Sequence, residues 1–164
     1  MENNLSKQFL RQYEMMIEWV NGTIDPLSDE EFKLEIYPGK NHGIWILGHL
    51  VTSDDDFSMF MGKGEVIFPE FYEIFGQGSK LLPPDKYPSV SELKSAWKKV
   101  CDKNRKIYSE LADEELQLPH ALVKDIDKDY FKTKERVIMA WHLHQLYHAG
   151  QLGIIVSQAG KSKY

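Results

Sequence analysis

His144-Gln145-Leu146-Tyr147-His148-Ala149-Gly150-Gln151 places two imidazoles four residues apart inside the longest helical pattern of the chain. Side chains at i and i+4 share one helix face a turn apart, so one ring nitrogen of each can reach a common metal ion. Val137, Trp141, His144, His148, Gln151, Leu152 and Ile155 recur along that face at helical spacing, which puts both histidines in an apolar, core-facing stripe. The pattern begins near Thr133, with Glu135 in its first turn, and ends close to Gly160. At a rise of about 1.5 Å per residue such a helix is about 40 Å long and spans a whole domain. His142 projects well around the helix from the pair and reads as a surface group or an outer partner of the site.

A third imidazole stands in Trp45-Ile46-Leu47-Gly48-His49-Leu50, within a second apolar helix expected over residues 42–62, with Asn41 as its N-cap. A buried neutral imidazole needs a partner for each nitrogen, and a shared cation satisfies one nitrogen on each of three rings. His49, His144 and His148 are therefore the candidate metal ligands. The blander alternative is a metal-free bundle whose histidines hydrogen-bond internally. Asp56, seven residues after His49 and on nearly the same face, reads either as a group that orients a ligand or relays a proton, or as a surface carboxylate of the run Asp54-Asp55-Asp56. The surface reading is preferred. Tyr147 and Gln151 are candidate outer partners of the histidines, and Trp45 and Trp141 are candidate core walls.

Two further segments carry a helix period. One covers residues 5–22, with Phe9, Leu10, Tyr13, Met16, Ile17 and Val20 on its apolar face and Asn21-Gly22 at its end. The other starts after Pro88, capped by Ser89 or Ser91, and runs through Leu93, Trp97, Val100, Cys101, Ile107 and Leu111. Ser28, with Glu31 three residues on, predicts a capped short turn. Residues 62–89 form a long connection rich in glycine and proline, with a helical turn near residues 71–75, and such lengths mark crossovers or site walls. Residues 113–131 carry only weak β-like signals, at 121–123 and 130–131. The whole predicts one domain, residues 1–164, that is all-α: a four-helix bundle, not simple up-down-up-down, with any metal site in its core.

Composition narrows the function classes. Apolar residues make up 42% and charged residues 27%, ordinary for a folded soluble chain, and no apolar run is long enough for a bilayer. A net charge of -5 without a dense Lys/Arg cluster argues against nucleic acid. The beginning of the chain has no basic and apolar leader, and the lone Cys101 needs no oxidising compartment, so a cytoplasmic setting is expected. Cys101 reads as a packed thiol. Gln145 stands where the zincin motif H-E-x-x-H has its general base, which disfavours a zincin peptidase. No GxSxG elbow, P-loop or dinucleotide fingerprint is present.

The segments Asn41-His42-Gly43-Ile44-Trp45-Ile46-Leu47-Gly48-His49-Leu50 and His144-x-x-x-His148-x-Gly150-Gln151 together resemble the DinB/YfiT-like superfamily, in order, wide separation and context. The resemblance spans most of the chain. It implies a four-helix bundle of unusual connectivity, often a homodimer, with a divalent metal, zinc or nickel by ligand type, on His49, His144 and His148. It also implies a metal-dependent enzyme acting on a small molecule: a thiol S-transferase using a low-molecular-weight thiol, an isomerase, or a hydrolase. Gln145 departs from the acidic residue many relatives carry there. A second reading is a non-catalytic module in which the ion only braces the bundle; a closed site with a fourth protein ligand favours it, whereas an open position beside a cleft favours the enzyme.

Overall fold

The computed structural model describes residues 4–161. Helix α1 (Leu5–Ile24) begins at Asn4, whose side chain accepts from Lys7 N, and continues two residues beyond the expected stop at Asn21-Gly22. Its apolar positions Phe9, Tyr13, Met16, Ile17, Val20 and Ile24 are all buried. The Ser28–Glu31 pair forms as expected, Ser28 N donating to Glu31 Oε2 at 2.7 Å before a short 3-10 turn.

The second long helix departs from expectation at its cap and at Asp56. α2 (Gly43–Asp55) is capped by His42 rather than Asn41: His42 Nδ1 accepts from Trp45 N at 3.1 Å. Instead of running to residue 62, α2 turns at Asp56 into a short α3 (Phe57–Met61), closed by Gly62 with φ 68°. Thr52 and Ser53 stand just before this break. Their hydroxyls bond back to the His49 carbonyl at 3.1 and 2.6 Å, competing with the helix ladder. The run that follows is no surface patch, because Asp54 and Asp55 are buried. Asp55 accepts from Ile67 N, Phe68 N and Lys103 Nζ, tying the start of the long connection and the next helix to the end of α2.

That connection holds α4 (Tyr72–Phe75) between two 3-10 turns, close to the helical turn expected at 71–75. α5 (Val90–Glu110) opens with a complete capping box between Ser89 and Glu92. α6 (Asp113–Leu116) is one turn long, and Asp113 reaches back to accept from Leu5 N and Ser6 N, each at 2.8 Å. α7 (Lys134–Gln158) begins at Thr133, whose side chain accepts from Arg136 N. The β-like signals at 121–123 and 130–131 yield no strand. Only isolated bridges occur among the described residues, Pro119 to Thr133 being the one in this region. Ala121 N donates instead to Phe60 O, which docks the loop on α3.

Each of α1 and α2 packs against both α5 and α7. Going round the bundle the order is therefore α1, α7, α2, α5, which puts the first two long helices diagonally opposite each other. In an up-and-down bundle consecutive helices are neighbours. Here the connection from α1 to α2 crosses the bundle end, and so does the connection from α5 to α7. This arrangement brings α2 directly alongside α7, although they are almost a hundred residues apart in sequence.

Candidate metal centre

On α2 and α7 the three histidines meet. His144 Nε2 lies 3.3 Å from His49 Nε2 and 3.2 Å from His148 Nε2, and the three ligand atoms all fall within 4.8 Å of one another. Their outer nitrogens are held. His49 Nδ1 donates to the Phe75 carbonyl at 2.7 Å, and His148 Nδ1 donates to Gln151 Oε1 at 2.7 Å. Both partners accept only, so each fixes its ring with the Nε2 lone pair facing inward. His144 Nε2, carrying at most one proton, can satisfy one of those lone pairs and leaves the other unmatched. A cation between the three nitrogens satisfies all of them, so the donor set fits a divalent metal.

Burial pushes the His144 and His148 pKa values down to about 4, helped by the neighbouring imidazoles, and lowers that of His49 by the same cause. All three rings are therefore neutral at physiological pH, the form in which imidazole binds metals.

The Trp-x-x-Gly-His context has a local explanation. Trp45 stacks on His49 with centroids 4.7 Å apart and 14° between planes, while its Nε1 donates to Ser79 Oγ at 3.0 Å. Gly48 lies under the Phe75 ring, where a Cβ would sit 2.2 Å from Cε1. Only glycine allows Phe75 so close, and Phe75 supplies the carbonyl that holds His49.

His49 and His144 open on a cavity of about 500 Å³. Phe60, Tyr72, Phe131 and Trp141 form aromatic walls, and Asp56 also lines it. Trp141 is therefore a half-buried cavity wall, its Nε1 donating to Ser53 O at 2.6 Å. Asp56, contrary to the surface expectation, lines the cavity: its Oδ1 accepts from Tyr72 OH at 2.7 Å, and burial raises its pKa to about 6. Gln151 holds His148, and exposed Tyr147 lies edge-on to that ring, 5.0 Å between centroids. Gln145 is fully buried, donating to Leu50 O at 3.1 Å and accepting from Ser53 Oγ at 3.3 Å. Cys101 is buried outside this cavity, its thiol pKa raised by burial.

His142 needs correction. It points away from the triad, as its helix position predicts, but into the core rather than to the surface: Nε2 pairs with Tyr108 OH at 2.9 Å and Nδ1 has no partner among the described residues. The residues that sequence reading missed are those whose role depends on tertiary neighbours. Phe75 acts through its backbone, and Tyr72 matters only because α4 folds over the end of α2. The helical signal at 71–75 located the segment but not its target.

The sequence matches the DinB superfamily over residues 10–152. The chain belongs to that superfamily. Three solved structures share its fold. A DinB-like protein from Bacillus cereus is 22% identical, with 98% of this chain and 95% of that one aligned at a TM-score of 0.69. YfiT from Bacillus subtilis, described as a probable metal-dependent hydrolase with an unusual four-helix bundle topology, is 12% identical, covers 99% and 91%, and has a TM-score of 0.67. A conserved protein from Enterococcus faecalis is 12% identical, covers 93% and 95%, and has a TM-score of 0.66. No curated protein matches the sequence.

Proposed function

We propose that this chain is a cytoplasmic divalent-metal-dependent enzyme of the hydrolase or thiol S-transferase class, with His49, His144 and His148 as ligands to zinc or nickel. The convergence of three Nε2 atoms, two of them fixed as lone pairs by Phe75 O and Gln151 Oε1, carries the reading. The description of YfiT as a probable metal-dependent hydrolase supports it. A bound ion would act as a Lewis acid on a water or thiol at an open position.

The other chemistry belongs to the protein. Phe75 O and Gln151 keep two ligand rings from rotating, and the aromatic walls exclude water from the substrate. Asp56 lies seven residues along the chain from His49, about 10 Å along the helix axis, so it addresses the far end of a substrate rather than the metal.

An ion that merely braces the bundle is the weaker reading. Among the described residues no fourth His, Cys, Asp or Glu joins the cluster, and two of the three histidines face a cavity. Any thiol comes from outside, since Cys101 is buried elsewhere. The substrate is a small molecule that fits the cavity. A homodimer is part of the proposal, with exposed apolar Met15 and Trp19 on α1 and Leu143 on α7 as its candidate contact residues. No helix among the described residues is long and apolar enough to cross a membrane.

Elemental analysis of tag-free protein, with His49→Ala and His148→Ala alongside, tests the proposal. Near-stoichiometric zinc or nickel that is lost in both variants supports it. Wild-type protein that stays empty after reloading overturns it. If metal binds, a low-molecular-weight thiol that perturbs the spectrum of a cobalt-substituted form favours transfer over hydrolysis.

A further inference from the structure

Of the three consecutive carboxylates at the end of α2, two are buried away from the cavity. Asp54 is buried and accepts from Tyr13 OH at 2.6 Å. Asp55 is buried against Lys103 and two backbone N–H groups. Asp56 differs: it lines the cavity beside the triad, with one oxygen accepting from Tyr72 and the other taking no hydrogen bond from the described residues.

No lysine or arginine lines that cavity among the described residues. The nearby ammonium of Lys103 is bound by Asp55 Oδ1, Asp55 O and Ser58 Oγ. The Thr52 and Ser53 hydroxyls donate to backbone carbonyls of their own helix. Apart from the two histidines and the neutral amide of Gln77, the cavity thus offers aromatic faces and a single carboxylate among the described residues. Phe60, Trp141 and Phe131 form one continuous aromatic wall, with centroid separations of 4.7 and 5.4 Å. Aromatic faces and a carboxylate attract cations and repel anions, and the net charge of -5 adds a long-range bias of the same sign.

We propose that the cavity selects a substrate bearing a protonated amine on an apolar or aromatic frame, with Asp56 pairing the ammonium end and the reacting end lying at the histidines. This rests on the enzyme reading of the same site and adds the substrate class. A carboxylate seated at the Asp56 end of this cavity, that of an anionic thiol included, would meet that side chain with no lysine or arginine beside it to compensate.

The test uses phenethylamine, 3-phenylpropionate and 2-phenylethanol, which share a phenyl frame and differ in charge. Calorimetry on metal-free and zinc-loaded protein at pH 7 gives the affinities, and the Trp141 indole resonance reports occupancy of the cavity. In the metal-free protein, where no ion ligates the carboxylate, the expected order is amine, alcohol, carboxylate, with at least about tenfold between the first and last. Asp56→Asn, which keeps an acceptor for Tyr72, is expected to reduce that ratio to below about threefold. A carboxylate that binds the metal-free protein as well as the amine overturns the proposal, as does an unchanged ratio in Asp56→Asn, or no perturbation of Trp141 by any probe. If Asp56→Asn does not fold, the wild-type ratio decides. Zinc binding is measured separately, so a protein that takes up no zinc on reloading yet still prefers the amine defeats the metal reading and leaves the selectivity standing.

Discussion

His142 and His144 stand two residues apart on α7, yet they belong to opposite kinds of site. Inward on the bundle, His142 is enclosed by Phe9, Tyr13 and Tyr108, paired through one nitrogen with Tyr108 OH and unpartnered at the other among the described residues. Beside it the Tyr13–Asp54 hydrogen bond and Asn104, donating to Asp54 O at 2.7 Å, form a buried polar layer. Toward the cavity, His144 meets two other imidazoles nitrogen to nitrogen. Both regions contain buried histidine, and in both burial lowers the pKa to about 4. What separates them is where the lone pairs point. Buried histidines whose nitrogens face hydroxyls organise a core; histidines whose nitrogens face one another invite a cation.

The sharpest way to break this contrast is to delete one ring from each region. His148→Ala is expected to lower zinc affinity by more than about 100-fold, beyond the usual effect of losing an outer partner, while metal-free stability barely changes. His142→Ala is expected to bind zinc normally and to lose about 2–4 kcal/mol of stability, from the vacated ring volume and the stranded Tyr108 hydroxyl. Urea unfolding of metal-free protein and competitive zinc titration measure the two quantities. Equal metal loss in both variants would erase the distinction.

Gly48→Ala probes the link between packing and the site. The added methyl collides with the Phe75 ring, so Phe75 and its carbonyl must move away from His49. The expected result is about 1–3 kcal/mol of destabilisation from overpacking, together with about tenfold weaker zinc binding from the loosened ligand. Gln151→Leu separates the two effects. It removes the acceptor from His148 Nδ1 on a half-buried face, so zinc affinity should fall about tenfold with little change in the urea midpoint.

Much of this contrast was legible in the sequence because helical periodicity places residues on faces. The spacing of His144 and His148, the apolar setting of His49 and the opposite direction of His142 follow from 3.6 residues per turn. The four long helices follow from the same period. What periodicity cannot supply is the neighbour on each face. The surface reading of Asp54-Asp55-Asp56 failed because a charge run normally marks solvent, whereas Lys103, Tyr13 and Tyr72 arrive from three other elements to receive it. His142 was misplaced for the same reason, since an apolar stripe on one face does not reveal that α1 and α5 cover another. The expected helix over residues 42–62 has the right ends to within a residue but not the interruption at Asp56, just after Thr52 and Ser53 divert hydrogen bonds locally. That competition depends on rotamers the sequence does not specify.

The pH dependence of stability provides the finest test, because the two kinds of group act in opposite directions. His142, His144 and His148 have folded-state pKa values near 4, below the ordinary 6.5. The folded protein therefore binds fewer protons than the unfolded chain between those values, and metal-free stability, full above pH 6.5, should fall as the solution is acidified toward pH 4. Asp56 works the other way. Its folded-state pKa of about 6 exceeds the ordinary 3.8, so its contribution is full below pH 3.8 and is lost as pH rises through 6. Asp56→Asn removes this opposing term, and its stability should decline more steeply than wild type on acidification between pH 6 and 4. Removing a histidine should flatten the same slope. Because His142→Ala and His148→Ala each delete one depressed imidazole, both should flatten it, even though only one of them loses zinc. Proton linkage follows burial, which the two regions share, whereas metal binding follows convergence, which they do not.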